Sequence, residues 1–387
     1  MRMNPFAPGA GTPPPELAGR DEILSNAESS YLRAKKGYSS RPMMLLGLRG
    51  VGKTVLLTEI GQRARSKGIA VAKVEAPENG ALADLLYPEM RRVLRSLSTA
   101  EKAKDIAVRG LRALKSFATG LKISISDIEV SIEPEVGLAD TGNIEYDLPD
   151  MFEMIGRAAA EVNTAWLLLL DEVQYLNERD LSALIVSMHR MAQEGLPVVF
   201  IGAGLPQVAR LAGEAKSYAE RMFLYPEIGP LTDSAVREAV VKPLLQEKIT
   251  ISDEAVQAIV EKTHGYPFFV QALAYQVCEM AQSDQITLND VAKAYPMTLR
   301  ELDQSFFRVR FDRLSNTEIM FVQAMANLGD GPYLIKDIAE VMQRKASSLS
   351  PVRSSLIRKG MIYSQRIGQI NFTVPLFASF VKRRCED

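Results

Sequence analysis

The run Gly47-Leu48-Arg49-Gly50-Val51-Gly52-Lys53-Thr54 constrains this chain more than any other stretch. It satisfies G-x-x-x-x-G-K-[ST] and lies between an apolar segment, 42–46, and a segment, 53–67, in which Val55, Leu56 and Ile60 recur at helical spacing. A strand that passes into a helix through such a loop can wrap its backbone around phosphates. Glycine permits close approach, the amides and the helix N-terminus supply positive potential, Lys53 reaches the terminal phosphates, and the Thr54 hydroxyl ligates magnesium. ATP and Mg²⁺ are therefore the expected ligands of residues 47–54.

A further strand at 69–74 completes the strand, loop, helix, strand opening of a doubly wound parallel sheet. The sheet is expected to resume at 166–170, where Leu167-Leu168-Leu169-Leu170 runs into Asp171 and Glu172. In a phosphate-loop fold the end of that strand lies beside the metal, so Asp171 is expected to hold Mg²⁺ and Glu172 to polarise the attacking water as a general base. A binding protein needs only the metal ligand, whereas the second acid favours hydrolysis. Between the two motifs, 80–148 reads as an insertion. Helices are expected at 82–97 and 99–119, a strand or hairpin at 122–132 from the alternation of Ile123, Ile125, Ile128, Val130 and Ile132, and a returning helix at 150–162.

With 387 residues the chain is long enough for two or three domains, and its 47% apolar and 24% charged residues are ordinary for a globular protein. A net charge of −1 supplies no overall attraction to nucleic acid or to an anionic membrane, so such binding needs a local patch. Cys278 and Cys385 are too far apart in sequence for a C-x-x-C metal site, and this usage argues for a reducing cytoplasm. No apolar run approaches the ~20 residues of a membrane span, and no membrane partner is expected.

The change from alternating strands and helices to helices alone places a boundary near residue 230. The expected division is an extended arm at 1–15, rich in proline, a core at 16–230, a helical lid at 231–313 and a third unit at 314–387. In the last, helices at 316–327, 335–342 and 348–359 followed by a hairpin at 361–364 and 370–374 give the order of a winged helix-turn-helix.

Taken together, these motifs resemble the AAA+ ATPases, in particular the initiator-like group related to origin-recognition proteins and the neighbouring STAND ATPases. The resemblance implies an α/β P-loop AAA+ core with a doubly wound parallel sheet, an all-helical lid and a C-terminal winged helix. Leu17-Ala18-Gly19-Arg20-Asp21 is similar to the family's entry motif against the adenine, which implies nucleotide contacts from Gly19 and Arg20. His264-Gly265-Tyr266-Pro267 is similar to the nucleotide-contacting turn of the STAND lid, which implicates Tyr266 and Pro267. Arg221 sits where the family carries an arginine finger, a role that requires a nucleotide-dependent homo-oligomer. Two departures stand out: the strand after Asp171 ends Gly202-Ala203-Gly204 with no polar sensor side chain, and the usual lid arginine is missing.

Residues 315–387 carry ten basic against six acidic side chains, a local excess of four positive charges. Arg353, Arg358 and Lys359 fall on or at the end of the expected recognition helix and Arg366 in the wing, where double-stranded DNA would be contacted through its phosphates. Winged helices also dock proteins. Two functions therefore remain open: an ATPase acting as a nucleotide-dependent switch that engages DNA or a protein partner, and a slow or inactive nucleotide-binding scaffold that binds protein partners only.

Overall fold

The computed structural model describes residues 3–9, 11–123, 133–366 and 368–386. The strand or hairpin expected at 122–132 falls almost wholly outside them. The chain divides into two compact units, one comprising Arg20–Gly47 and Lys53–Ile228, the other Met1–Gly19, Leu48–Gly52 and Gly229–Asp387.

The first unit holds a five-stranded parallel sheet built from β1 (Met43–Gly47), β2 (Ala70–Glu75), β3 (Trp166–Asp171), β4 (Val198–Gly204) and β5 (Glu227–Ile228), in the order β2-β3-β4-β1-β5. Every residue of β1, β3 and β4 is buried, which explains why these strands read as continuous apolar runs instead of alternating. Because β1 lies between β4 and β5, the chain leaves it in one direction and returns on its other side. The carboxyl ends of β1, β3 and β4 thus surround the switch point at which such sheets bind ligands.

The described helices of the 80–148 segment are built into this core. Helices Leu82–Ser98, Lys104–Gly120 and Ile144–Glu161 bury Leu86, Met90, Leu94, Phe117, Leu148 and Phe152 in the same apolar cluster as Trp166, Leu168 and Leu170 of β3. Phe152 meets Trp166 edge to face at 4.9 Å. The third helix starts six residues before the expected position 150, because Asn143 caps it through Glu145 N–H and Pro149 is accommodated inside it.

In the second unit, helices Asp233–Gln246, Asp253–Thr263, Pro267–Met280 and Leu288–Leu302 form a bundle with a short parallel pair, β6 (Thr250–Ile251) and β7 (Gln285–Ile286). The N-terminal segment is tied to this bundle. Phe6, 3% exposed, lies in its core with Val236, Val270 and Val277, and Asn4 Nδ2 donates to the Tyr275 carbonyl at 3.0 Å.

A π-helical turn, Asp303–Phe307, leads out of the bundle. Helix Asn316–Asn327, β8 (Tyr333–Leu334), helices Ile335–Val341 and Ser350–Arg358, then β9 (Ile362–Arg366) and β10 (Gln369–Phe372) follow. The three strands pair in the order β8-β10-β9. A closing helix, Phe377–Glu386, which the sequence pattern did not disclose, packs on Asn316–Asn327 and brings Phe377 and Phe380 onto Phe307. Among the described residues, no helix is long and apolar enough to cross a membrane.

Candidate nucleotide site

Two strand ends and one helix start bring the expected chemistry together. Lys53 opens the helix Lys53–Ser66, is 6% exposed, and donates from Nζ to the Gly47 carbonyl at 2.9 Å. One residue on, Thr54 Oγ1 donates to Asp171 Oδ2 at 2.5 Å. Asp171 is the last residue of β3 and 2% exposed. Burial pushes its carboxyl above the usual range, and the neighbouring Glu172 adds to that. The Thr54 hydroxyl, the Glu172 backbone N–H (2.9 Å) and Lys53 hold it back. A hydroxyl and a carboxylate side by side are hard oxygen donors that suit Mg²⁺, and a divalent cation there would reverse the desolvation that raises Asp171. Glu172 follows in a left-handed conformation, φ 54° and ψ 40°, which turns the chain out of the strand.

The loop residues Leu48–Gly52 belong to the second unit. Gly50 and Gly52 have φ of 84° and 92°, where side chains are disfavoured. A Cβ at Gly52 would meet nothing within 4 Å, so open space borders the backbone where phosphates would lie. The Arg49 N–H donates to the Thr373 carbonyl and the Gly50 carbonyl accepts from the Phe268 N–H, both at 3.3 Å. Phe268 stacks on Phe306 at 4.7 Å, and the Arg310 guanidinium lies 3.9 Å over the far partner in that column. Burial, then repulsion from Arg49 and Arg313, lowers Arg310 to about 10. Sequence reasoning missed Arg310, which lies some 40 positions beyond the turn in which a lid arginine was sought.

It also missed Gln174, in the turn Val173–Tyr175 that follows Glu172. Its side-chain Oε1 accepts from the Leu205 N–H at 3.0 Å, while Nε2 donates to Glu172 Oε2. A glutamine two positions after the acid belongs to no spacing rule that would have marked it.

Residues 16–201 match the family described as the AAA ATPase domain. They form an AAA ATPase domain. Residues 304–381 match a family described as a domain of unknown function. No curated protein matches the chain in sequence. Among solved structures, the chain is similar to the Walker-type ATPase PABY2304 of Pyrococcus abyssi, with 17% identity, a TM-score of 0.57, and coverage of 95% of this chain and 96% of that one. It is also similar to the ORC2 protein of Aeropyrum pernix, with 14% identity, a TM-score of 0.53, and 98% of each chain covered. At these identities the likeness is one of fold, an α/β P-loop core with a helical C-terminal part. The match over residues 16–201 makes that part of the chain similar to nucleotide-binding AAA ATPase domains.

The remaining expected residues are placed as follows. Gly19 has φ 67°, and a Cβ there would lie 2.8 Å from the Ala235 Cβ. Arg20 begins the helix Asp21–Lys35, and burial lowers its guanidinium below the ordinary value. Tyr266 caps the helix that Pro267 opens; it is buried, and burial pushes its hydroxyl up. A Cβ on Gly50 would lie 3.4 Å from the Tyr266 ring, so this turn packs directly on the loop. Arg221, in the short helix Ala219–Met222, is exposed, and its carbonyl accepts from Arg41 Nη2 at 3.0 Å.

Of the C-terminal basic residues, Arg358 and Arg366 are exposed and Arg353 is half-buried. Lys359 is engaged within the unit, donating to Glu318 Oε2 at 2.7 Å and to the Arg313 carbonyl at 2.8 Å. Burial pushes the Glu318 carboxyl up, but Lys359, the Ser315 N–H and the Ser355 and Ser315 side chains outweigh it and hold it at about 2. A carboxyl depressed from 4.5 to about 2 contributes stability that is complete above pH 4.5 and lost as the pH falls through about 2. Lys359→Met is therefore expected to lower the unfolding free energy near neutral pH by on the order of 1–2 kcal/mol, allowing for solvent on the lysine. In denaturant titrations over a pH series, that difference should shrink through the window from pH 4.5 down to about 2. A pH-independent difference would show that the pair is not its source.

Proposed function

We propose that this chain is a magnesium-dependent ATP hydrolase whose bound nucleotide switches engagement of double-stranded DNA or a protein partner through a C-terminal winged helix. The observation that carries the hydrolysis reading is the Thr54 Oγ1 to Asp171 Oδ2 contact of 2.5 Å, which brings the two expected metal ligands together with Glu172 as the next residue. Mg²⁺ on Thr54 and Asp171 would supply charge neutralisation for the transferring phosphoryl group. Lys53 binds the terminal phosphates, and the Gly50 and Gly52 backbone accommodates them. Glu172 takes a proton from water as the water oxygen bonds to the γ-phosphorus. The bond to the bridging oxygen breaks, and that oxygen leaves with its electron pair on ADP. Arg310 and Arg49, whose like charges repel, add positive potential beside the loop that an anion relieves.

The switch reading draws on the Arg49 N–H to Thr373 bond, which ties the loop to the segment after β10. The helix, strand, two-helix and hairpin order of 316–372 supports the winged-helix assignment, with Arg358 and Arg366 exposed for phosphate contacts. Phosphate release with Mg²⁺ and ATP, with and without DNA, tests the enzyme; activity that survives removal of Mg²⁺ would refute the metal assignment. For DNA, Arg358→Ala/Arg366→Ala is expected to lower the slope of log affinity against log salt by about 2, near one per lost phosphate contact. An unchanged slope in duplex-retention assays would leave protein partners as the ligands of this unit.

A further inference from the structure

The amide of Gln174 joins two strand ends. A backbone N–H can only donate and an ionised carboxylate can only accept, so with Leu205 N–H on one side and Glu172 on the other a single orientation of the amide satisfies both. Oε1 is anchored just past β4, and Nε2 points to the carboxylate just past β3.

The end of β4 is shaped for this side chain. A Cβ at Gly204 would lie 2.7 Å from Gln174 Oε1 and 2.6 Å from Val208 Cγ2. At Gly202 it would lie 3.0 Å from Val173 Cγ2 and closer still to the Phe200 ring. The strand tip lacks a polar side chain because the polar group that reaches it comes from the neighbouring turn. The left-handed backbone of Glu172 is strained and persists only when its surroundings hold it. The Tyr175 N–H on the Glu172 carbonyl, at 3.0 Å, and the Gln174 amide on its carboxylate are two such restraints.

We infer that Gln174 is a positioning residue for hydrolysis, holding one oxygen of Glu172 by reference to the end of β4 and leaving the other to take the proton from water. This rests on the hydrolysis reading above. It also makes β4 a sensor through its backbone: a shift of Leu205 reaches Glu172 through one amide, in place of a polar side chain on the strand.

Steady-state phosphate release by the full chain, with ATP and Mg²⁺, tests this in six proteins: wild type, Glu172→Gln, Gln174→Met, Gln174→Glu, Gly204→Ala and the double variant Gln174→Met/Gly204→Ala. Methionine keeps the length of glutamine without its donor and acceptor, so Gln174→Met should lower kcat on the order of 10- to 100-fold, the scale of a misplaced reacting group, with KM for ATP within about threefold. Gln174→Glu keeps an acceptor for Leu205 but opposes Glu172 with a second carboxylate, and should be at least as slow. Gly204→Ala displaces the amide and should resemble Gln174→Met, with the double variant no slower than the slower single one. A Gln174→Met enzyme with wild-type or higher kcat overturns the proposal, as does a loss of activity carried by KM. If wild type is no faster than Glu172→Gln, the hydrolysis reading falls and this one with it. If wild type is much faster and Gln174→Met equals it, only the positioning role falls.

Discussion

Glu172→Gln is expected to reduce kcat for phosphate release by on the order of 100-fold or more while leaving nucleotide affinity nearly unchanged. In the proposed mechanism the two effects separate, because Glu172 is there the proton acceptor and is not among the residues proposed to bind phosphate. Those are Lys53 and the loop, with Thr54 and Asp171 for the metal. The amide of Gln in that position keeps the size of the side chain and can still meet Gln174, so fold and binding survive while the base is lost. Phosphate release at saturating ATP, together with titration of a fluorescent ATP analogue, checks both halves. A variant that releases phosphate at the wild-type rate would remove Glu172 from the mechanism. A variant that no longer binds nucleotide would show that the residue supports the site instead.

The second large effect concerns stability. Phe117 lies in the helix Lys104–Gly120 of the 80–148 segment and is 0% exposed. It shares one apolar cluster with Leu168, Leu170 and Trp166 of the sheet. Phe117→Ala is therefore expected to destabilise the sheet unit by about 3–5 kcal/mol, the lost transfer energy plus the cavity left behind. Because the cluster is continuous, the loss should appear as one cooperative shift of the unit's unfolding in denaturant, followed by circular dichroism and by Trp166 fluorescence together. A detachable insertion would behave differently: its helices would melt early while the Trp166 signal kept its wild-type midpoint.

That segment also shows where sequence reasoning stopped. The phosphate loop and the Asp171-Glu172 pair were legible because their chemistry demands given residue types at given spacing, on a strand end or a helix start. The amphipathic helices of 80–148 were legible as helices, yet periodicity says only that a face is buried, not against what. The returning helix was expected from 150, whereas the Asn143 cap begins it earlier and Pro149 sits within it. Strand β5 has two residues, too few for any period to show. Lys359 read as a DNA-phosphate contact beside Arg358, and only the fold reveals its bond to Glu318. Gln174 and Arg310 were invisible for the same reason: each acts through partners remote in sequence, Leu205 for one and the Phe306 and Phe268 column for the other. The sequence shows that Gly202-Ala203-Gly204 carries no polar side chain, but not that the Gln174 amide bonds the Leu205 N–H beside it.

The docking of Phe6 has a consequence for how the protein reaches its native state. Its partner Val236 lies 230 positions away (236 minus 6), and the whole sheet unit is encoded between them. The bundle formed by 233–302 can gather its local helix pairs quickly, but its core is completed only when the first few residues of the chain return across that long interval. Closing so large a loop is entropically costly and slow unless the intervening chain is already compact. During synthesis Phe6 is made before every other residue of the bundle core in which it docks, since those lie from Val236 onward.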